Sequence, residues 1–308
     1  MGERPAISYR LFTEADLSAT TYVRKAALEA LVRENGREPE PWMPRAPIMH
    51  RHLLKTDPEG AWAAEMDGVL VGYAHGFVRG DVWYLAQLFV QPEVHAGGVG
   101  QGVLKRAQDY GRARGAHVFA VSSSTSRSAQ ALYMRHGMFA NAINYHLRGP
   151  VEPLLRLPEP AANRKRVVDC SGWQDRMAEL DREVWGAERR QEHQLYLSGV
   201  FGGDEGSFAL TESGSLLGYG YAIEDFGGFI GPIAAREAND QLPLLRMGAS
   251  WLAEHEVTEA GAYCVSTNHA MMSAFLEAGW KIDHWTFLLA SEAFGRFDRY
   301  LPSGGMLL

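Results

Sequence analysis

The sequence has only two cysteines, Cys170 and Cys264, which lie far apart and form no C-x-x-C pair. It therefore argues against a disulfide scaffold and a cysteine-based zinc site, and it is typical of a reducing compartment. No uninterrupted apolar run is long enough to span a bilayer, and the first residues, MGERPAISYR, lack the apolar stretch of a secretory signal. We expect a cytoplasmic protein without a membrane partner.

An excess of positive charge is also missing, because the formal net charge is −7 and the isoelectric point is about 5.9. Non-specific nucleic-acid binding requires a net basic surface, so we expect no nucleic-acid partner. Apolar residues make up 46% and charged residues 22% of the chain, as in an ordinary globular protein. At roughly 100–200 residues per domain, the length of 308 residues predicts about two domains.

The chain contains an internal repeat, built from three elements in the same order. Residues 70–77 resemble residues 216–223, and each segment follows a polar turn, as the second arm of a hairpin does. A strand-like run that reaches Pro92 or Pro232 comes next in each half. A short helix pattern ending at a glycine completes each half, with two internal spacings of seven and four residues: Ser126, Tyr133 and Gly137 in the first, Asn268, Phe275 and Gly279 in the second.

The first copy predicts antiparallel hairpins followed by strand, loop, helix and strand, which indicates a mixed sheet of the α/β (α+β) class. The predicted helices cover residues 13–32, 48–54, 99–114 and 127–136, and the predicted strands cover 61–66, 69–79, 81–90, 117–122 and 138–148. A proline-rich stretch, 149–163, predicts a stiff linker. The predicted domains are therefore residues 1–148 and 164–308.

A glycine-rich loop, 96–100, joins a strand to a helix in the first copy. Glycine lets the backbone approach a ligand closely, and the free N–H groups of a helix N-terminus attract anions. The loop therefore indicates either a pyrophosphate site or a tight turn that needs glycine for its geometry alone. It is not a Walker loop, because no Gly-Lys-Ser/Thr follows, and the glycine order fits a Rossmann fingerprint poorly.

Together these segments resemble the GNAT superfamily of acyl-CoA-dependent N-acetyltransferases. The family pattern V-x-P-E, (Q/R)-x-x-G-x-(G/A) and, one strand later, N-x-x-A-x-x-L-Y-x-x-x-G-F is matched at nine positions: Val90, Pro92, Glu93, Gly98, Gly100, Ala129, Leu132, Tyr133 and Gly137. The chain departs from the pattern at four positions, with His95 for Arg or Gln, Ala96 for Gly, Ser126 for Asn, and Met138 for Phe. The resemblance implies two tandem GNAT folds.

The resemblance also implies roles for residues of the first domain. Tyr133 would be the catalytic acid that protonates the departing CoA thiolate. The acetyl-CoA site would comprise the end of a strand, the glycine loop and a helix start: Leu88, Phe89, Val90, His95, Ala96, Gly97, Gly98, Val99, Gly100, Gln101 and Ser126. Trp42, Gln87 and Tyr84 are weak candidates for contacts with the acceptor. The general base stays open among His75, Glu65, Asp81 and Tyr84, because Gln87 cannot take a proton.

The second copy lacks the features of a cofactor site. Its loop has no G-x-G, Pro232 removes an N–H, Glu237 adds a negative charge, and Phe275 replaces Tyr133. We therefore expect one active domain beside a degenerate one, with direct acetyl transfer in a ternary complex. A non-catalytic acyl-CoA sensor with a regulatory or dimerising second domain, and a purely structural pair that binds no CoA, stay open as alternatives.

The acceptor cannot be identified from the sequence beyond an amine of a small molecule or a peptide. A homodimer is one assembly that the second domain allows. His50 and His52 would not share a helix face, so no metal site is predicted from them with His75.

Overall fold

The computed structural model describes residues 6–41, 47–201, 205–225 and 227–308, without the side chains of residues 95 and 96. The chain divides into two compact units. Unit 1 comprises residues 1–139 with 289–292, and unit 2 comprises 140–288 with 293–308. Each unit thus includes a segment from the other half of the sequence. Among the described residues, no helix has both the length and the apolar character needed to cross a membrane.

Unit 1 is built around a mixed sheet with the strand order β1-β2-β3-β4-β5, in which only β4 and β5 run parallel. Its elements are β1 Ile7–Leu11, α1 Leu17–Glu34, α2 Ile48–Thr56, β2 Ala61–Met66, β3 Val69–Arg79, β4 Val82–Val90, α3 Val99–Ala113, β5 Val118–Ser123 and α4 Arg127–Arg135. Residues 289–292 extend this unit, where the Ser291 amide donates to the Phe119 carbonyl at 2.8 Å.

Local sequence chemistry explains these elements. Asp67 and Gly68 both have positive φ, 52° and 77°, which suits the tight turn between β2 and β3. In α3, Val99, Val103 and Ala107 are fully buried at helical spacing, so this face packs on the sheet. A buried ion pair, with Arg79 Nη1 2.8 Å from Asp57 Oδ2, joins the end of β3 to the residue after α2.

Unit 2 repeats the element order of unit 1 and has the strand order β12-β6-β11-β10-β9-β8-β7, with β13 paired to β10. Its elements are β6 Phe139–Pro150, β7 Lys165–Val168, α5 Gln174–Val184, α6 Arg190–Tyr196, β8 Glu205–Glu212, β9 Ser215–Ile223, β10 Phe229–Ala235, α7 Gln241–Glu254, β11 Glu259–Val265, α8 His269–Glu277, β12 Lys281–Ala290 and β13 Tyr300–Leu301. The predicted mixed α/β class is confirmed, and the same succession of helices and strands occurs twice.

The segment predicted as a stiff linker, 149–163, contains a short 3-10 helix, Glu152–Arg156. Val151 and Leu154 are 1% and 0% exposed and belong to the hydrophobic core of unit 2. These apolar side chains draw the segment onto the unit, because each gains free energy by leaving water. The two compact units, which are defined by contacts within the fold, change over between residues 139 and 140. The predicted boundaries, 1–148, 149–163 and 164–308, rest instead on the prolines of the predicted linker.

Candidate active site

A cavity of about 470 Å³ lies within unit 1. This volume is in the range of pockets that bind small molecules and cofactors. Its walls come from five elements: α1, the second half of β4, the start of α3, the end of β5, and α4. The elements that the sequence motifs mark therefore face one space.

Strand β4 leaves its neighbour β5 as it reaches the cavity. The parallel ladder between them covers only Val82–Leu85 on β4. On its other side β4 stays paired with β3, but the register shifts by one residue. His75 lies opposite Gln87, whereas the next residue, Gly76, lies opposite Leu85. Ala86 is thus an extra residue in β4, and such a bulge turns the strand locally. Gln87, Leu88, Phe89 and Val90 line the cavity beyond this point.

The N-terminus of α3 forms another wall. Gly98 is its N-cap residue and has φ 75°, a left-handed conformation that glycine adopts without strain. The first helical hydrogen bond runs from the Gly102 amide to the Gly98 carbonyl at 2.9 Å. The amides of the first turn before Gly102 have no acceptor within the helix, so this end presents donors and a positive dipole end. Gly98, Gly100 and Gln101 line the cavity, which makes its wall here a short stretch of nearly bare backbone.

Helix α4 provides the remaining motif residues. Ser126 is its N-cap, and the Ser126 Oγ accepts a long hydrogen bond of 3.5 Å from the Ala129 amide. Tyr133 lies on the side of α4 that lines the cavity, and it is only 5% exposed. Burial raises the pKa of the Tyr133 phenol well above its usual range, so its hydroxyl is protonated at neutral pH.

The structure brings most of the predicted site residues to this cavity. Nine of them line it: Gln87, Leu88, Phe89, Val90, Gly98, Gly100, Gln101, Ser126 and Tyr133. Three others are not among the lining residues. Gly97 is exposed at the end of a 3-10 helix, Val99 is fully buried, and Tyr84 is fully buried against Phe77. Trp42 and the side chains of His95 and Ala96 lie outside the described residues.

The candidates for a general base lie away from the cavity lining. Glu65 accepts hydrogen bonds from Arg10 at 3.0 and 2.5 Å, so its carboxylate is committed to an ion pair. Asp81 is exposed in the turn before β4. His75 is fully buried, with its ring 5.0 Å from the ring of His50. Burial, and then the charge of His50, lowers the pKa of His75 well below its usual value.

The sequence patterns did not mark the wall that α1 contributes. Ala27, Leu28, Leu31 and Glu34 line the cavity from this helix. Their spacing of one, three and three residues places them on one helix face, which is the signal that could have identified them. Ser124 and Arg135 also line the cavity, and they come from the motif region without matching the family pattern.

Unit 2 has a different arrangement at the corresponding elements. Its strand β10 pairs with β11 at a single position, Phe229 with Gly261, and then with β13, where Ile233 lies opposite Leu301. In unit 1 the corresponding strand, β4, leaves β5 and lines the cavity, whereas in unit 2 strand β10 is paired with β13.

The helix that follows β10 also differs from its counterpart. Asp240 is the N-cap of α7, is 1% exposed and forms an ion pair with Arg164. Asp240 thus places a negative charge next to the helix N-terminus of unit 2, although its carboxylate pairs with Arg164 and makes no capping hydrogen bond. Phe275, the counterpart of Tyr133, is fully buried in the core.

Residues 26–138 match the model of the acetyltransferase (GNAT) family, and no curated protein matches the chain. A putative acetyltransferase from Pyrococcus horikoshii is similar over 100% of this chain and 99% of its own, with 13% identity and a TM-score of 0.71. A GCN5-related N-acetyltransferase from Sphaerobacter thermophilus is similar over 92% and 95%, with 19% identity and a TM-score of 0.63. A tandem GNAT protein from the clavulanic acid biosynthesis pathway is similar over 94% and 99%, with 14% identity and a TM-score of 0.61.

At 13–19% identity, the similarity to these structures shows the fold alone. The family match over residues 26–138 supports acyl transfer in general. The matched range ends at Met138 and contains α2 to α4, so it includes most of the cavity wall. The chain thus has two GNAT folds in tandem, and its residues 26–138 match the GNAT acetyltransferase family.

Proposed function

We propose that the protein is an acetyl-CoA-dependent N-acetyltransferase with one cofactor site per chain, in unit 1. The observation that carries the proposal is the convergence of three motif segments on one cavity of about 470 Å³. They are the end of β4, the N-terminus of α3, and the face of α4 that bears Tyr133. Acetyl-CoA would supply the thioester whose carbonyl carbon the amine attacks.

The donor set suits a cofactor with a pyrophosphate and an amide-containing arm. Backbone amides at the start of α3 would hold the pyrophosphate, since a helix N-terminus combines free N–H groups with a positive dipole end. A Cβ at Gly100 would lie 3.5–3.8 Å from Leu132, Val90 and Leu88, which all line the cavity, so a longer side chain here would take up cavity space. Beyond the β5 ladder, the backbone of Leu88–Val90 would bond the pantetheine arm, in the manner of an added strand.

Tyr133 is the proposed acid. As the amine nitrogen bonds to the acetyl carbon and the carbon–sulfur bond breaks, the sulfur leaves with the electron pair of that bond. The Tyr133 hydroxyl would donate its proton to this sulfur, and the nitrogen would release its surplus proton to water as the amide forms. Tyr133 would then recover a proton from water, which leaves the amide and the free thiol of CoA. The phenol is protonated at neutral pH, as a proton donor has to be.

No base is needed among the cavity residues if the acceptor amine arrives neutral. Gln87 lines the cavity and would orient the amine or a water molecule through its amide. His75 lies opposite Gln87 on β3, but it is not among the lining residues and would act only through an intermediary. We propose direct transfer in a ternary complex, because both cysteines, Cys170 and Cys264, are buried in unit 2 and far in sequence from the motifs.

One site per chain follows from the arrangement of unit 2. There the β10 edge is bonded to β13, Asp240 occupies the start of α7, and Phe275 has no hydroxyl to donate. We propose that unit 2 supports the fold and binds no acetyl-CoA. The acceptor is proposed to be a small-molecule or peptide amine in the cytoplasm.

The test is a calorimetric titration of the purified chain with acetyl-CoA, compared between two glycine variants. Gly98 and Gly115 both have positive φ, 75° and 82°, and a Cβ at either position would meet no atom within 4 Å. Gly98→Glu and Gly115→Glu should therefore lose similar stability, about 1–2 kcal/mol each. Only Gly98 lies at the start of α3, so only Gly98→Glu should abolish binding.

A stoichiometry of one in the parent chain and in Gly115→Glu, with none in Gly98→Glu, supports the proposed site. Two sites per chain would contradict the assignment to unit 1 alone. Release of free CoA in the presence of a panel of amines then tests transfer, and binding without any transfer would favour an acyl-CoA sensor. Absence of binding at millimolar acetyl-CoA would refute the enzyme and leave the fold.

A further inference from the structure

Three potential metal ligands meet on the sheet of unit 2. They are His146 of β6 and the neighbouring residues Asp283 and His284 of β12, and β6 and β12 are adjacent strands. Each offers one ligand atom, and these atoms all lie within 4.8 Å of one another. None of the three belongs to the cavity of unit 1 or to the motifs.

The geometry of the three groups is close to that of a coordination shell. Asp283 Oδ2 lies 3.0 Å from His146 Nδ1 and 2.8 Å from His284 Nδ1, so one carboxylate oxygen faces both rings. A tetrahedral ion with bonds of about 2.0–2.1 Å holds its ligand atoms about 3.4 Å apart. All three ligand atoms lie within 4.8 Å of one another, so shifts of up to about 1.4 Å, mainly in the two exposed side chains, would bring them to this spacing.

The ring of His146 is held in place by its surroundings. It lies 4.8 Å from the ring of Tyr263, its register partner on β11, and 4.6 Å from the ring of His284. A Cβ at Gly261 would come within 2.9 Å of His146 Nε2, so the ring occupies the space that the glycine leaves over β11. One ligand is therefore fixed before any ion binds, which reduces the ordering cost of coordination.

The other two ligands open to solvent. The side chain of His146 is 12% exposed, whereas those of Asp283 and His284 are 51% and 48% exposed. An ion can enter from this side, and water can complete its coordination. Three protein ligands with an open position are typical of exchangeable or reactive zinc sites rather than of structural ones, which have four.

We propose that His146, Asp283 and His284 bind one borderline divalent transition-metal ion of the Zn²⁺ class. Two imidazole nitrogens and one carboxylate oxygen suit such ions, whereas Mg²⁺ and Ca²⁺ prefer oxygen ligands alone. The net charge of two neutral rings and one carboxylate is −1, which the ion more than neutralises. This proposal is independent of the proposed acetyl transfer, because it concerns a different unit.

The test is a calorimetric titration of the untagged, chelator-treated full chain with ZnCl₂. We expect one Zn²⁺ per chain, and at least a tenfold weaker affinity in His284→Ala and in Asp283→Asn. Both side chains are about half exposed, so these variants should keep the parent melting temperature in the absence of metal. The matched control is His269→Gln, which removes another exposed histidine of unit 2, at the start of α8, and should bind as the parent does.

Cobalt provides a second reading of the same site. Co²⁺ added to the parent chain should give visible d–d absorption of an ion with nitrogen ligands, and His284→Ala should lose it. Equal zinc affinity in the parent chain, His284→Ala and Asp283→Asn would overturn the proposal. So would a loss of affinity in His269→Gln equal to that in His284→Ala, or the absence of binding at 1 mM metal.

Discussion

Replacing Tyr133 by phenylalanine separates the chemical role of this residue from its structural one. The substitution removes one oxygen atom and keeps the ring, which is 5% exposed on α4. Among the described residues the Tyr133 hydroxyl has no hydrogen-bond partner, so its removal leaves no buried group unsatisfied. We therefore expect the free energy of unfolding to change by less than about 0.5 kcal/mol.

The expected loss of activity is much larger than this. A positioned general acid contributes roughly 10²–10⁴-fold to a rate, which corresponds to about 3–5 kcal/mol of transition-state stabilisation. If Tyr133 protonates the thiolate, Tyr133→Phe should lower kcat by this factor and leave the dissociation constant of acetyl-CoA nearly unchanged. Phe275 stands at the equivalent place of unit 2 in a well-packed core, so the scaffold accommodates the phenyl ring.

The assay is single-turnover release of CoA at saturating acetyl-CoA and amine, beside urea denaturation of the same preparations. Gln130→Ala is the matched control. Gln130 lies on the same helix as Tyr133 but does not line the cavity, and its side-chain amide donates a hydrogen bond of 3.2 Å to the Ser124 carbonyl, which precedes the helix. The control should lose about 1 kcal/mol of stability and keep its turnover. A Tyr133→Phe rate within threefold of the parent would refute the acid role, whereas a Tyr133→Phe rate that falls more steeply than the parent's as the pKa of the leaving thiol rises would support it.

Three further predictions concern stability. Asp57→Asn should destabilise unit 1 by about 3–5 kcal/mol in urea denaturation, because Arg79 is 2% exposed and would keep a buried charge without its carboxylate; a loss below 1 kcal/mol would show that water reaches the pair. Gly111→Ala should cost about 1–3 kcal/mol despite the better helix former, since its Cβ would come within 2.5 Å of the buried Trp83 ring; an unchanged melting temperature would contradict this packing. Burial, and then the charge of Arg24, lowers the pKa of His50 from 6.5 to about 4. Protons therefore bind the unfolded chain more tightly, so stability is full above pH 6.5 and falls by about 3 kcal/mol as the pH drops towards 4; His50→Gln should flatten the fall in denaturation midpoints over this window.

The elements of unit 1 could be predicted closely because their signals are local. The strand predicted at 69–79 is β3, Val69–Arg79, and the helix predicted at 99–114 is α3, Val99–Ala113. A polar turn or a glycine loop marks each of these boundaries, and the apolar spacing marks the buried face. The second half of β4 is marked by the family motif, and its residues Gln87–Val90 line the cavity.

Pairings between distant segments could not be predicted in this way. Strand β13 has two residues, which are too few to show any periodicity in the sequence. It nevertheless pairs with β10 and so covers the strand edge that corresponds to the cavity side of β4. His146 and Asp283 are 137 residues apart, and their meeting depends on the adjacency of β6 and β12. The helical spacing of the α1 wall marks one face, but it does not show what that face packs against, because Ala27, Leu28 and Leu31 would serve equally well in a core.

The two copies separate what the fold requires from what the chemistry requires. Helices α4 and α8 have nine residues each, are capped by a side-chain oxygen of Ser126 or Asn268, and end before a glycine with φ 83° or 82°. These features satisfy the backbone at both helix ends, so the repeated spacing suffices for two similar helices. Nothing in that spacing demands a hydroxyl at the seventh position, or a strand that leaves its parallel neighbour as β4 leaves β5. A catalytic assignment from the spacing alone would therefore have fitted both units equally. The side chain at that position, the loop before the next helix and the partner of β10 distinguish them.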